Sequence, residues 1–266
     1  MTIGDNTFVE SIAKLYDAVL GPFMFEPFAR DMAARLSGFE GEVLEVAAGT
    51  GVLTRELVGA LGPRSRITAT DLNAPMLDVA RLSLPRVTWR QADALALPFE
   101  NQSFDAVVCQ FGVMFYPDIR AGHAEAARVL HSGGRYWLSV WDDLTGNQVA
   151  ETVHHSAAAC FPNDPPQFFA RTPHGHHDLS KLCGDLAAVD FREITAVTVT
   201  LPAGRLGADE LARGFCQGSP LRHEIEARDK GALGVVTAAV EQSLRTRFGD
   251  GPIETTIRAH VITARR

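Results

Sequence analysis

From Glu42 onward the chain alternates short apolar runs of strand length with helical stretches, and this alternation limits the fold more than any other feature of the sequence. Parallel neighbours cannot be joined by a tight hairpin. Each needs a crossover, usually a helix, which covers the sheet faces and allows strands to be apolar throughout. The spacing predicts strands at 42–46, 66–71, 87–91, 104–109 and 134–140, with helices after the first, second and fourth. Two later runs, FREITAVTVTLP and TTIRAHVITARR, are expected as a closing, reversed pair at one edge. The fold class expected is therefore α/β, a doubly wound and mostly parallel seven-stranded sheet with a helical N-terminal cap and helical insertions.

One domain accounts for the length, with four regions. Residues 1–40 form a helical cap: Phe8, Ile12, Leu15, Tyr16, Val19 and Leu20 recur at helical spacing, Gly21-Pro22 is expected to break the helix, and FEPFARDMAARL resumes it. Residues 42–141 are the core that binds a cofactor. Residues 142–178, rich in His, Pro, Phe and Asn, carry a short helix over 148–159 and read as a lid. Residues 205–250 are a second helical insertion before the last strand. A formal charge of −7 without a basic stripe argues against a nucleic-acid partner. No apolar run approaches the ~20 residues of a membrane span. The N-terminal segment carries Asp5 and Glu10 where a signal peptide has a basic start and an apolar run. Cys109, Cys160, Cys183 and Cys216 stand apart from one another and read as reduced thiols of a cytoplasmic protein. A homodimer is left open.

The chemistry-bearing segments lie at the ends of the predicted strands. Val43 to Gly51, VLEVAAGTG, is a strand that runs into a small-residue turn and opens a helix at Val52. Such a turn lets backbone N–H groups approach a ligand, although an ordinary tight turn has the same appearance. The dinucleotide fingerprint needs a third glycine where this chain has Val52, which weakens a nicotinamide or flavin reading. Asp71 ends the second strand, twenty positions past Gly51. Its carboxylate can accept both hydroxyls of a ribose, or cap the helix that begins at Ala74-Pro75; counted with the loop, the ribose is favoured. Asp93 and Ala94 follow the third strand, where a carboxylate and a backbone N–H suit an adenine edge, or an Asx-turn leaves the strand. Phe104 to Phe115 is a buried strand emerging into aromatic residues.

In this order, EVAAGTG, TDLNAPML, QADALALPF, FDAVVCQFGVMF and GGRYWLSVW resemble the class I, Rossmann-like S-adenosylmethionine-dependent methyltransferases, particularly the ubiquinone and menaquinone biosynthesis enzymes. The resemblance covers about 42–141. It implies a cofactor, S-adenosylmethionine, held by Ala47, Gly49, Thr50 and Gly51. Asp71 would take the ribose, Leu72, Asp93 and Ala94 the adenine, Glu45 and the Gln110 backbone the methionyl amine, and Met76 also lines the site. Ala47 departs from the family pattern, which has the first loop glycine there. The implied reaction is methyl transfer to a small, partly apolar metabolite, with S-adenosylhomocysteine as product.

Methyl transfer from an activated donor depends chiefly on alignment and the exclusion of water, so no catalytic triad is required. A nucleophile that must lose a proton would be served by a histidine near the lid: His154, His155, His174, His176 or His177. Thr172 to Asp178 carries three imidazoles and a carboxylate, but consecutive loop residues rarely face one ion, so no metal is expected and Asp178 is read as a helix N-cap. Tyr16, Phe23, Phe111 and Phe115 are the candidate walls of an acceptor pocket, with Phe25, Tyr116, Phe168 and Phe169 as further aromatic candidates. Two other functions share these features: a protein that binds the cofactor on this fold without methylating, as a partner subunit or rearrangement catalyst, and a dinucleotide-dependent oxidoreductase.

Overall fold

A computed structural model describes residues 10–266. Seven strands form one sheet in the order β3-β2-β1-β4-β5-β7-β6, with β1 Glu42–Val46, β2 Arg66–Asp71, β3 Thr88–Gln91, β4 Phe104–Gln110, β5 Leu130–Trp141, β6 Arg192–Pro202 and β7 Thr256–Arg265. β1 lies in the interior of the sheet, parallel to β2 on one side and β4 on the other. Val43, Leu44, Val107 and Val108 are fully shielded from solvent, as two covered faces require. Helices Val52–Ala60, Ala74–Ser83 and Ile119–Val129 make the crossovers after β1, β2 and β4, in agreement with the sequence pattern. The winding reverses between β1 and β4, so the crevice beyond the carboxyl ends of these strands is where such a sheet receives ligands.

Two expectations are corrected. The last two strands are not a reversed pair at the edge. β7 alone runs antiparallel, and it lies between β5 and β6, pairing with both. β6 therefore points the same way as β5 and is the edge strand; its side chains are exposed or half-buried, whereas β7 is mostly buried, as its interior place demands.

The second correction concerns the cap. Gly21-Pro22 does not interrupt the helix. After Glu10–Leu15 the backbone widens into a π-helical stretch, Tyr16–Phe25, with Pro22 inside it, and continues directly into Glu26–Arg35. Proline removes a hydrogen bond and crowds the preceding turn, and the wider winding accommodates both. It also brings Tyr16 and Phe25, at its two ends, into a stack with ring centroids 4.8 Å apart. Phe8, the first residue of the predicted periodicity, lies outside the described residues.

The remaining helices lie beyond β5. Gln148–Ala159 packs against Leu233–Phe248, with Ser243 donating to Ser156 Oγ at 3.0 Å and Arg247 pairing with Glu151 at 2.8 Å. Asp178 caps Leu179–Ala187 by accepting from the amides of Ser180 and Lys181, as its position suggests. All four cysteines are free. Among the described residues no helix is long and apolar enough to cross a membrane.

Candidate active site

A cleft opens where β1, β2 and β4 end, enclosing about 1120 Å³ of empty space with its mouth included. Glu45, Ala47, Gly49, Thr50, Asp71, Leu72, Met76, Asp93, Ala94 and Gln110 all line it. Gly51 is the exception among the cofactor-binding residues singled out from sequence. It sits behind the turn at φ +80°, and an added Cβ would press on Trp89 at 3.1 Å and Ala80 at 3.2 Å. Its place is the close packing of turn against helix, which only glycine permits.

The turn is tied across the sheet. The Gly49 N–H donates to Asp71 Oδ2 at 2.8 Å, and Asp71 Oδ1 accepts from the Asn73 N–H at 2.8 Å. Asp71 is thus not the cap of Ala74–Ser83, whose N-cap position is Asn73. Asp93 does form the Asx-turn, accepting from the Leu95 N–H at 2.9 Å, while also lining the cleft. Ala47 adopts φ +56°, a backbone conformation suited to glycine. Its methyl has room because residue 112 is glycine: a Cβ there would lie 2.4 Å from the Ala47 Cβ and 2.7 Å from Cys109 Sγ. The departure at Ala47 is therefore matched by Gly112.

Two buried carboxylates give the cleft its charge. Glu45 is 2% exposed, and burial pushes its acid up to about 8, against the opposing pull of the Thr54 hydroxyl that bonds it at 2.6 Å; Asp71 raises it further. Burial also raises Asp71, although the amides of Asn73 and Gly49 favour its charged form. A cationic ligand group would relieve both, because it favours the ionised carboxylate that burial disfavours. Thr50 Oγ1 and Gln110 Oε1 are buried without a hydrogen-bond partner, and Gln110 Nε2 donates to Phe25 O at 3.3 Å. Buried polar atoms of this kind are ordinarily satisfied, so their position at the cleft fits a polar occupant.

A second cavity, about 460 Å³ of empty space, adjoins the first. Tyr16, Phe25, Phe111 and Phe115 line both. Its other walls come from Leu20 and Met24 of the cap, Trp141 at the end of β5, Phe168, Phe169, Pro173 and His174, and Phe215, Ser219 and Pro220. Phe111 stacks on Trp141 with centroids 3.8 Å apart and planes 2° from parallel. It is held there at φ +55° by its amide bond to Ser139 O. A bulky residue in that region is strained, and such strain concentrates at ligand sites.

Several candidates fall elsewhere. Phe23 is 1% exposed and meets Phe215 edge-on at 6.3 Å, but lines neither space. His154 and His155 lie on Gln148–Ala159, the first half-buried and the second exposed, and neither lines the cleft or the aromatic cavity. His177 is exposed, its Nδ1 bonded to His174 O at 2.8 Å. His176 lines a separate surface groove with Lys181 and Asp185. Of the proposed bases, His174 alone reaches the aromatic cavity. Among the described residues no three His, Cys, Asp or Glu side chains are grouped to hold a metal ion. The sequence reading missed Trp141 and Phe215. Trp141 was accessible in principle, because it ends β5 on the same side as Gln110 ends β4, whereas nothing local marks Phe215.

Residues 43–134 match the family described as "Methyltransferase domain". The chain is 35% identical over 138 residues to the ubiquinone/menaquinone biosynthesis C-methyltransferase UbiE of Bartonella henselae, covering 47% of this chain and 53% of that protein. It is 34% identical over 135 residues to demethylmenaquinone methyltransferase of Staphylococcus aureus, covering 47% and 55%. The chain thus spans about half the length of the relatives it matches. Among solved structures it is similar to the phosphoethanolamine N-methyltransferase 2 of Haemonchus contortus in complex with S-adenosyl-L-methionine, with TM-score 0.61, 16% identity, and 97% and 57% of the two chains covered. The [4+2]-cyclase SpnF matches with TM-score 0.59, 17% identity, and 97% and 93% covered. These likenesses show the fold. The fold is the Rossmann-like α/β fold shared with these methyltransferase structures, and residues 43–134 are similar to a methyltransferase domain. Within it, the core of this chain resembles the ubiquinone and menaquinone biosynthesis enzymes.

Proposed function

We propose that the chain transfers a methyl group from S-adenosylmethionine to a small, partly apolar metabolite. The observation that carries this reading is the junction of the two spaces: a polar, acid-lined cleft at the strand ends shares Tyr16, Phe25, Phe111 and Phe115 with an aromatic cavity. Asp71 would receive the ribose hydroxyls, Asp93 and the Ala94 N–H the adenine edge, and Glu45 with Gln110 the methionyl amine. Thr50 and Gln110 offer their unpartnered atoms to the same occupant. When bound, S-adenosylmethionine supplies a methyl group already activated on a sulfonium. The chain's own contribution is then alignment and dryness: the shared rings exclude water from the junction, and their faces suit a neighbouring cation. The four free thiols support a cytoplasmic setting.

Ligands that bind only the native state raise the melting temperature, by an amount equivalent to about 2.7 kcal/mol at a hundredfold excess over Kd. S-adenosylmethionine and S-adenosylhomocysteine should both stabilise the chain, while NADH and FAD should not. Stabilisation by NADH or FAD alone overturns the reading in favour of an oxidoreductase. A second reading, rearrangement without methylation, draws on the similarity in fold to a protein titled a [4+2]-cyclase. Labelled methyl recovered in an acceptor excludes it; cofactor retention with no labelled product across an acceptor screen supports it.

A further inference from the structure

The aromatic cavity contains one polar group whose state the rest of the molecule fixes. His174 is 3% exposed and lines the cavity, with its ring 6.2 Å from that of Trp141. Its Nδ1 lies 2.7 Å from the Asp142 carbonyl, which can only accept, so Nδ1 carries the proton and Nε2 presents a lone pair. Nε2 has no hydrogen-bond partner. The imidazole cannot readily turn to find one. The backbone N–H of His174 donates to Phe169 O at 2.9 Å, and the Asp142 side chain that positions the carbonyl is held by Arg258 Nε at 2.5 Å and His260 Nε2 at 3.1 Å. The Ser219 hydroxyl, also in the wall, is already satisfied, donating to Phe215 O at 2.6 Å and accepting from the Leu221 N–H at 3.2 Å. An oriented, buried acceptor among aromatic rings selects for what an occupant donates, because an occupant without a donor leaves the nitrogen unsatisfied.

We infer that the aromatic cavity takes a flat, apolar compound bearing a neutral hydroxyl, and that His174 Nε2 accepts the hydrogen bond from that hydroxyl. The inference rests on the reading of this cavity as the acceptor site. A charged amine fits less well: among the described residues no carboxylate lines the cavity, so its desolvation would go uncompensated by an opposite charge. Burial lowers the His174 pKa to about 4, which keeps the ring neutral and its lone pair open at neutral pH. His174 is on this account a specificity-determining and positioning residue.

The test is calorimetric titration of the whole chain with 2-naphthol, 2-methoxynaphthalene and 2-naphthylmethylammonium, in wild type, His174→Asn and His174→Gln. Asn can keep the donor to Asp142 while removing the acceptor at the Nε2 position; Gln can restore an acceptor there. Wild type should bind the naphthol at least about tenfold more tightly than the methoxy compound and the ammonium, the discrimination expected of a hydrogen bond to a buried acceptor. His174→Asn should bind naphthol and methoxynaphthalene alike, and His174→Gln should recover part of the preference. Equal binding or no binding of the probes by wild type, tighter binding of the ammonium, or a preference that survives in His174→Asn overturns the inference. Titration of the same preparations with S-adenosylhomocysteine tests the cleft separately: failure there, with the naphthol preference intact, removes the cofactor reading and leaves the hydroxyl site standing.

Discussion

The strand-end cleft and the aromatic cavity touch, yet they are built by different means. The cleft is made by consecutive residues at the ends of neighbouring parallel strands, and its turn is set by backbone bonds such as Gly49 N–H to Asp71. The cavity is made by side chains from the cap, the end of β5, the segment around Phe168 to His174, and the helix Ala208–Gln217 with the turn after it. The cleft also holds two buried carboxylates, whereas the lining of the cavity includes none. Backbone-built sites tolerate little change in local sequence, while side-chain-built ones can be reshaped by substitution on insertions that leave the sheet alone.

The contrast in charge is the easiest to break. Glu45 is held near 8 in the folded chain, against 4.5 ordinarily. A raised carboxylate binds more protons folded than unfolded, so its contribution is fully present below about pH 4.5 and is lost as pH rises towards 8. Wild type should therefore lose about 3–5 kcal/mol relative to Glu45→Gln between pH 5 and pH 8 in denaturant melts. An unchanged pH dependence in the variant would show that the cleft accommodates this charge without cost. Next in size is Asp71→Ala, which should weaken S-adenosylhomocysteine binding by roughly 1–3 kcal/mol, about five- to 150-fold, through lost hydroxyl contacts and a loosened Gly49 turn. Unchanged affinity by calorimetry removes Asp71 from the ribose role. The smallest effect sharpens the boundary between the two spaces. Phe169 lines only the cavity, so Phe169→Leu should alter acceptor binding while leaving S-adenosylhomocysteine affinity within about threefold, a change below roughly 0.7 kcal/mol. A larger loss would mean that the spaces act as one.

This division explains what was legible in the sequence. Glu45 to Gly51, Asp71 and Asp93 lie at the ends of strands or just past them, so strand pattern and turn chemistry placed them together without knowledge of the tertiary fold. Gly51 was misplaced only in role, because packing against Trp89 and lining a ligand site make the same demand for glycine. The cavity depends on crossings between distant helices, which local periodicity does not encode. His154 and His155 are equivalent to His174 by residue type, and only the tertiary placement of Gln148–Ala159 leaves them outside the cavity wall. The π-helical winding at Tyr16–Phe25 was also invisible, since a Gly-Pro pair ordinarily marks a break. The order of the last strands escaped because apolar alternation reveals a strand but not its neighbours.

The position of β7 has a further consequence for how the molecule is made. Arg135 of β5 pairs with Arg265 of β7, and Arg192 of β6 pairs with that same Arg265, so the β6 edge attaches to the sheet only through a strand much later in the chain. The sheet cannot zip in chain order. The β1–β2, β2–β3 and β4–β5 pairs can join through nearby crossovers, while β6 must wait for a long-range closure whose entropy is unfavourable until β7 arrives. A chain of this kind is expected to fold in two stages, with the half that bears the strand-end cleft assembled first and the β6 edge completed last.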